Sequence, residues 1–361
     1  MVSRKRLIWF SGVGELEAPY NGYKGRWLSL RDSINDCDAQ IITTNYVHSR
    51  KVLLSSDYDS RYKILDCFDY NSKRGLKRLL YHWIYMIKFS CYLLYNSRKV
   101  DTIVFNAIPH INVIGLLLAR LLGKHVFIDV RDLWLELEGG FMTRCFARVN
   151  RILFNIQVSQ SKEVLVTSRK YGNFINRPFH YLPLGYDSEG HVRELKKANI
   201  IGFIGNESPQ YDLIDAVAKL NDATFKIEII GSFSYDYIEA VKDANSQMEI
   251  EFLGYLDSEE GKFNAMARWS FGLIPNLAAS QMGLPTKVFD YLKYCVPVLY
   301  ICGQNKTKHD FEMRSFIDQG FGIMHYGLGS ENYGELIDFI LYNRQKFDRT
   351  NINAEYKNII L

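Results

Sequence analysis

Residues 283–292 carry the sequence GLPTKVFDYL, and CVPVL follows at 295–299. Pro285 and the glycine ahead of it predict a loop that opens a helix. A helix N-terminus attracts phosphate, and the Lys287 ammonium in the first turn can reach the same phosphate. Asp290 follows one turn later on the same helix face, where a carboxylate can accept hydrogen bonds from two ribose hydroxyls. The segment predicts a nucleotide-binding site; an ordinary helix with solvated Lys and Asp side chains is the alternative.

Around this segment, short β-rich runs alternate with longer helical runs, which predicts an α/β fold with parallel sheets covered by helices. A chain of 361 residues exceeds what one hydrophobic core usually supports. We therefore expect two doubly wound domains, at 1–185 and 186–361, with the join in a polar, glycine-containing stretch. Strands are predicted at 7–11, 40–44, 102–106, 125–130, 164–167, 200–204, 226–230, 250–253, 271–274 and 296–301. Helices are predicted at 25–34, 73–97, 111–122, 143–156, 211–220, 235–244, 258–267, 287–293 and 335–342.

Four further motifs accompany the first segment in a fixed order: LPLGYD at 182–187, IGFIGN at 201–206, IIG at 229–231 and FLGYL at 252–256. With residues 283–299, they resemble the GT-B glycosyltransferases, whose donor signature is P-x-K-x-x-E-Y-L followed by P-V-I or P-V-L. The resemblance implies two Rossmann-like domains facing across a cleft, with the last helix crossing back to the N-terminal domain. The N-terminal domain would bind the acceptor, and the C-terminal domain a nucleotide-sugar, expected to be a UDP-sugar.

The resemblance also implies which side chains bind the donor, and two of them depart from the family pattern. Many members carry a Glu eight positions before the second carboxylate, where this chain has Met282, and an Arg after the glycine, where this chain has Asn206. Backbone amides near the glycine and the lysine ammonium would stabilise the departing diphosphate. The implied donor-binding residues are Gly205, Asn206, Tyr255, Leu256, Pro285, Thr286, Lys287 and Asp290.

Charged residues cluster at the end of the strand predicted at 125–130, in the sequence FIDVRDLW at 127–134. Transfer of a sugar to a hydroxyl needs a base within hydrogen-bond reach, and Asp132 is the first candidate, with Asp129 second. The run resembles R-D-L-W in family 4-like capsular and exopolysaccharide transferases. It also resembles the strand-end acidic pair of xanthan-type glucuronosyltransferases, which implies an inverting reaction with an Asp base. An ion pair between Asp132 and Arg131, or a capping role, is the alternative.

Gly12 and Gly14 form a GxG after the first strand. In this fold such a loop lets the backbone approach the donor phosphates, and a plain tight turn is the alternative. The third glycine of a dinucleotide fingerprint is absent. No Asp-x-Asp pair suited to a divalent ion occurs at a predicted strand end, so no metal or other cofactor is expected.

The stretch 73–99 has the composition of a helix that can lie in an anionic membrane interface. It contains seven Lys and Arg, no acidic residue, and apolar side chains at helical spacing. Residues 1–180 carry 27 Lys and Arg against 15 Asp and Glu, which favours contact with anions. A core helix with basic ends is the alternative. The predicted membrane or acceptor contacts are Lys73, Arg74, Lys77, Arg78 and Trp83.

These patterns together predict a glycosyltransferase that moves a sugar from a UDP-sugar to a lipid-linked saccharide of a surface polysaccharide. The six cysteines lack metal or CxxC spacing, which favours reduced thiols in the cytoplasm. No signal peptide or transmembrane helix is predicted, so we expect peripheral association with the inner face of the plasma membrane. No nucleic-acid motif accompanies the basic charge. A nucleotide-sugar epimerase, a phosphorylase on the same fold and a non-catalytic nucleotide-binding subunit are the alternatives.

Overall fold

The chain divides into two compact units, one formed by Met1–Pro183 with Ile352–Leu361 and the other by Leu184–Asn351. A computed structural model describes residues 7–20, 23–34, 37–70, 76–133, 135, 141–188, 198–208, 211–256, 258–275, 283–301, 311–325 and 333–361.

The N-terminal unit is built on a seven-stranded parallel sheet with strand order β5-β2-β1-β6-β7-β8-β9. A separate antiparallel pair, β3 and β4, lies outside it. The strands of the N-terminal unit are β1 (Leu7–Ser11), β2 (Asp38–Thr44), β3 (Tyr46–Val47), β4 (Val52–Leu53), β5 (Tyr62–Leu65), β6 (Thr102–Asn106), β7 (His125–Val130), β8 (Glu163–Val166) and β9 (His180–Tyr181). The central strands β1, β6 and β7 are mainly apolar because helices cover both faces.

Alternate side chains of β1 identify the helices on each face of this sheet. Phe10 belongs to a core cluster with Trp27 and Tyr356, whereas Trp9 belongs to a cluster with Phe89 and Leu116. The helices are α1 (Glu17–Tyr20), α2 (Arg26–Ser33), α3 (Leu76–Asn96), α4 (Val113–Leu121), α5 (Phe141–Gln160) and, at the C-terminus, α12 (Arg349–Ile360). Hence α2 and α12 cover one face, and α3 and α4 cover the other, with α5 beside α4.

The C-terminal unit repeats the architecture with a six-stranded parallel sheet of order β12-β11-β10-β13-β14-β15. Its strands are β10 (Ile200–Ile204), β11 (Lys226–Ile230), β12 (Ile250–Gly254), β13 (Phe271–Ile274), β14 (Val298–Tyr300) and β15 (Gly322–Met324). Its helices are α6 (Leu213–Ala218), α7 (Tyr235–Asp243), α8 (Glu259–Met266), α9 (Thr286–Lys293), α10 (Phe311–Phe316) and α11 (Tyr333–Asn343). Two clusters, one on each sheet face, form its core.

The predicted α/β class is confirmed, and every predicted strand and helix is present with small shifts at its ends. The strand predicted at 296–301 begins only at Val298, since Cys295 has a φ of 53° and Pro297 has no amide hydrogen to donate. The short strands β3, β4, β5, β9 and β15 were not predicted. They span two to four residues, too few for a periodicity to be recognised.

Within the described part of the chain, none of the helices has the length and apolar character needed to cross a membrane.

Candidate functional site

Lys287 is buried at the start of α9, where its ammonium lies beside two aromatic rings. The residue is 5% exposed, and Nζ has no hydrogen-bond partner among the described residues. Nζ lies 3.4 Å from the ring centroid of Tyr211 and 4.1 Å from that of Phe203. Desolvation lowers the pKa of Lys287 to about 7, and the Asp290 carboxylate opposes that shift. A buried cation without an anion is costly, so an anion bound beside Nζ would be stabilised.

Tyr291 fixes α9 against the sheet and thereby places Lys287. Its hydroxyl donates to the Leu273 carbonyl oxygen at 3.0 Å and accepts from the Ile204 amide at 3.4 Å. A Cβ atom on Gly272 would lie 2.5 Å from the Tyr291 ring, so only glycine leaves room for this packing. The start of α9 is therefore held at the carboxyl end of β10, where ligands of parallel sheets bind.

Two strand-end glycines close the space beside the ammonium. A Cβ atom on Gly205 would lie 3.2 Å from Lys287 Nζ, and one on Gly231 would lie 1.7 Å from the Gly205 carbonyl oxygen. Both have positive φ, 154° and 145°, which glycine adopts without strain. The Gly205 amide donates to the Ile230 carbonyl oxygen at 2.9 Å. That amide is therefore occupied rather than directed at a phosphate, and Gly205 contributes space.

Asn206 and Glu207, which stand where the family pattern has an arginine, join the loops that follow β10 and β11. Asn206 Oδ1 accepts from the Ser232 amide at 2.9 Å. The Glu207 carboxylate accepts from the Ser234 amide at 3.1 Å and from its hydroxyl at 2.8 Å. These hydrogen bonds to the charged form lower the pKa of Glu207. Asn206 therefore lies near the predicted donor loop, with its side-chain oxygen directed at the neighbouring loop.

The other predicted donor residues surround the start of α9 and the end of β12. Pro285 is the N-cap residue of α9, and Thr286 is exposed in its first turn. Asp290 is solvent-exposed, yet desolvation by the surrounding protein raises its pKa to about 6. Tyr255 is exposed just after β12, and Leu256 packs against the core cluster that contains α9. Met282 lies outside the described residues.

In the N-terminal unit, Asp129 is the fully buried centre of an ionic network. Its Oδ2 atom lies 3.4 Å from Arg26 Nε and 3.2 Å from Arg131 Nε, and it accepts from Trp27 Nε1 at 3.0 Å. Arg131 also pairs with Glu15 at 3.0 Å, and its guanidinium lies 4.0 Å above a Trp27 ring. Buried charges need such partners. Asp129 thus occupies a structural position at the end of β7.

Asp132 differs from Asp129 because it is exposed and no ion pair joins it to Arg131. The Arg131 guanidinium forms its salt bridges with Glu15 and Asp129 instead, and a capping role for Asp132 stays a prediction. The preceding backbone is fixed: the Arg131 carbonyl oxygen accepts from the Tyr171 hydroxyl at 2.8 Å and from Thr167 Oγ1 at 3.2 Å. Desolvation raises the pKa of Asp132, and the Arg131 charge opposes this. Among the described residues, Asp132 is thus an exposed carboxylate without a salt-bridge partner, and it follows an anchored backbone segment.

The GxG after β1 forms a tight turn in the same region. A Cβ atom on Gly12 would lie 2.7 Å from the Trp27 ring and 2.9 Å from Glu15 Oε1. Gly14 has a φ of 80°, in the left-handed region that favours glycine. Within the N-terminal unit, Gly12 leaves room for Trp27 and Glu15 of the Asp129 network, and Gly14 permits the turn.

Lys73 and Arg74 lie outside the described residues, whereas Lys77, Arg78 and Trp83 lie on α3. Lys77 is exposed, Arg78 is partly buried, and Trp83 is 41% exposed. Over the described ranges, no group of three or more His, Cys, Asp or Glu side chains is arranged to hold a metal ion.

Sequence patterns alone missed the two rings that cover Lys287. Phe203 lies within an apolar strand and is indistinguishable there from a core residue. Tyr211 was placed at a predicted helix start, whereas α6 begins at Leu213. Only the structure brings both to the ammonium.

The two parallel sheets, with helices on both faces, define the GT-B fold, which confirms the predicted fold class. No protein-family model matches the chain, and no curated protein matches it.

Three solved structures share the architecture at low sequence identity. Anabaena HepE, solved in complex with UDP, is 12% identical, with a TM-score of 0.61 over 98% of this chain and 99% of HepE. A mutant of S. aureus TarM, solved with fondaparinux, α-GlcNAc-glycerol and UDP, is 12% identical, with a TM-score of 0.59 over 98% and 99%. The lipopolysaccharide outer core galactosyltransferase WaaB, in its apo form, is 14% identical, with a TM-score of 0.53 over 98% and 95%. At these identities the likeness establishes the fold alone.

Proposed function

We propose that the chain is a glycosyltransferase that moves a sugar from a UDP-sugar to a hydroxyl of a glycan acceptor. The observation that carries the proposal is the buried Lys287 ammonium, which has no hydrogen-bond acceptor among the described residues and lies beside the Gly205 position. A donor diphosphate is an anion of the right kind for this position at a helix start. Anabaena HepE and S. aureus TarM, which share the fold, were solved with UDP, and this supports a uridine nucleotide.

In the proposed reaction, the Asp132 carboxylate accepts the proton of the acceptor hydroxyl. The acceptor oxygen forms a bond to the anomeric carbon of the sugar, and the bond from that carbon to the β-phosphate oxygen breaks. UDP leaves with the electron pair, and the Lys287 ammonium stabilises its charge. Direct displacement inverts the anomeric centre, and no metal or other cofactor takes part. Desolvation raises the pKa of the Asp132 carboxyl above its usual value, which makes it a stronger base.

The acceptor that we propose is a lipid-linked saccharide of a surface polysaccharide pathway, as in family 4-like or xanthan-type transferases. The enzyme would then act in the cytoplasm, against the anionic inner face of the plasma membrane. The basic and apolar surface of α3, including Lys77 and Trp83, supports this location.

Replacing Lys287 with methionine tests the donor site. Lys287→Met keeps the length of the side chain and removes the charge. We expect UDP affinity, measured by calorimetry, to fall about 10- to 100-fold, as for a lost charge-assisted hydrogen bond. The free energy of unfolding should stay equal or rise, because an unpaired buried charge is removed.

Lys293→Met is the matched control, since this lysine lies on the same helix and pairs with Glu259 at 2.7 Å instead. It should leave UDP affinity near that of the parent protein. Equal UDP affinity in the Lys287→Met and parent proteins would remove Lys287 from the site. Turnover of a UDP-sugar with no acceptor present would favour an epimerase, and UDP binding without release of UDP from any donor and acceptor would favour a non-catalytic subunit.

A further inference from the structure

Three neighbouring helices on one face of the N-terminal sheet contain no acidic residue. The helices are α3, α4 and α5, and they carry seven Lys and Arg between them. Each of the other labelled helices contains at least one Asp or Glu. The sequence pattern singled out the first of the three; the structure places the other two beside it. We call the outward sides of α3, α4 and α5 the acid-free face.

Close packing makes the three helices one continuous surface. A Cβ atom on Gly115 of α4 would lie 2.7 Å from Met86 Sδ and 2.9 Å from the Phe89 ring, both on α3. On the other side, His110, just before α4, contacts Phe154 and Gln157 of α5. The outward side chains of the three helices therefore adjoin one another.

The outward side of α3 is apolar although it points away from the core. Tyr85, Phe89 and Leu93 face the sheet and are buried. Leu80 and Ile87, on the opposite side of the helix, are 50% and 58% exposed. An amphipathic surface helix would carry polar residues there, so α3 is apolar on both sides.

The outward sides of α4 and α5 continue this composition. Leu121 of α4 is 85% exposed, and Ile152 of α5 is 59% exposed. The same helices carry exposed arginines, of which Arg144, Arg148 and Arg151 lie on α5. An exposed apolar area of this kind marks an interaction surface.

We propose that the acid-free face docks on an anionic lipid bilayer. This proposal rests on the proposed function, and it specifies which surface of the N-terminal unit contacts the membrane. These helices contain no carboxylate to pair with the arginines, and anionic lipid head groups supply that negative charge. The interfacial region of the bilayer accepts Trp and aliphatic side chains. A protein partner of mixed charge would place some cations opposite the arginines, whereas an anionic bilayer places none.

Sedimentation with vesicles tests the proposal, using phosphatidylglycerol mixed with phosphatidylcholine and, separately, phosphatidylcholine alone. The parent protein should bind the mixed vesicles and bind phosphatidylcholine far more weakly. The triple variant R144Q/R148Q/R151Q should lose about 100-fold in partitioning, from about fivefold per basic residue. The charge-matched control K219Q/K242Q/K346Q, in the C-terminal unit, should change partitioning less than threefold.

Apolar contact is tested separately with Ile87→Ser and Leu121→Ser, which should weaken binding at both low and high salt. No binding of mixed vesicles by the parent, or equal losses in the two triple variants, would overturn the proposal. A second outcome would also overturn it: the parent protein is a dimer in sedimentation velocity, and Leu121→Ser dissociates the dimer without changing vesicle binding. UDP affinity, measured on the same proteins, should equal that of the parent; its absence in all of them would count against the transferase and not against the docking face.

Discussion

The buried charged groups near the ends of β10 and β7 differ in whether they have partners of opposite charge among the described residues. At β10, Lys287 is buried with aromatic rings around it and no hydrogen-bond acceptor among the described residues. At β7, Asp129 is equally buried but has two arginine partners and a tryptophan donor. Since an uncompensated buried charge costs several kcal/mol, the first arrangement suits a bound ligand and the second suits a stable fold.

The same contrast separates the two carboxylates near β7. Arg131 is held by Glu15 and Asp129, and no cation of the described residues lies within ion-pair distance of Asp132, which is exposed. Motif resemblance placed both carboxylates in the site. Of the two, Asp129 has cation partners among the described residues and anchors the loop, so Asp132 remains our candidate for the proton acceptor.

The largest expected effect is on turnover, in Asp132→Asn. The substitution keeps the size of the side chain and removes its capacity to accept a proton. We expect the rate with a UDP-sugar and acceptor to fall about 10²- to 10⁴-fold, the usual contribution of a general base. UDP affinity and melting temperature should match the parent, because no described residue forms an ion pair with Asp132. A fully active variant would end this assignment and redirect attention to a retaining mechanism.

A comparable effect, but on stability, is expected for Asp129→Asn. Removing this charge leaves Arg26 without its carboxylate partner, and breaking a buried pair costs about 3–5 kcal/mol. The free energy of unfolding, determined by urea denaturation, measures this loss of stability. Asp32→Asn is the control: this carboxylate is partly exposed beside Lys24 and Arg31, so its loss should cost less than about 1 kcal/mol. If Asp129→Asn were as stable as the parent and inactive, the roles of the two aspartates would be exchanged.

Local patterns predicted the fold and one half of the candidate site. The loop, helix start and Lys287 lie within a few residues of one another, so their spacing carries the information. The central strands were also predictable, because burial on both faces makes them mainly apolar. The Met282 departure stays untested, since that residue lies outside the described part of the chain.

Contacts between distant residues could not be predicted from one sequence. Arg131 meets Glu15 across 116 positions, and Trp27 meets Asp129 across 102. No local spacing encodes such pairs, so an ion pair between the adjacent residues Arg131 and Asp132 was the simplest alternative. The acid-free face was likewise only partly predictable, because it arises where three separate helices adjoin.

The smallest expected effect is a pH dependence of donor affinity. It tests whether the Lys287 ammonium, unlike the paired Asp129 carboxylate, changes its protonation when a ligand binds. A UDP-sugar is the right probe, since its diphosphate does not titrate near neutral pH. Lys287 has a pKa of about 7 in the free protein, and a bound diphosphate would raise it by favouring the charged form. Binding then takes up a proton above pH 7, and affinity should fall by up to tenfold per pH unit there.

Below that range the sign reverses through Asp290, whose pKa is about 6. In the proposed donor complex, the ionised carboxylate accepts stronger hydrogen bonds from ribose than the protonated group does, so protonation should weaken binding as the pH falls below 6. Affinity should therefore be highest between about pH 6 and 7, as measured by calorimetry from pH 5 to 9. Lys287→Met should remove the alkaline decline alone, and Asp290→Asn the acidic decline alone. A flat profile in the parent would show that neither group changes its protonation on binding, and the ammonium would then be charged before the donor arrives.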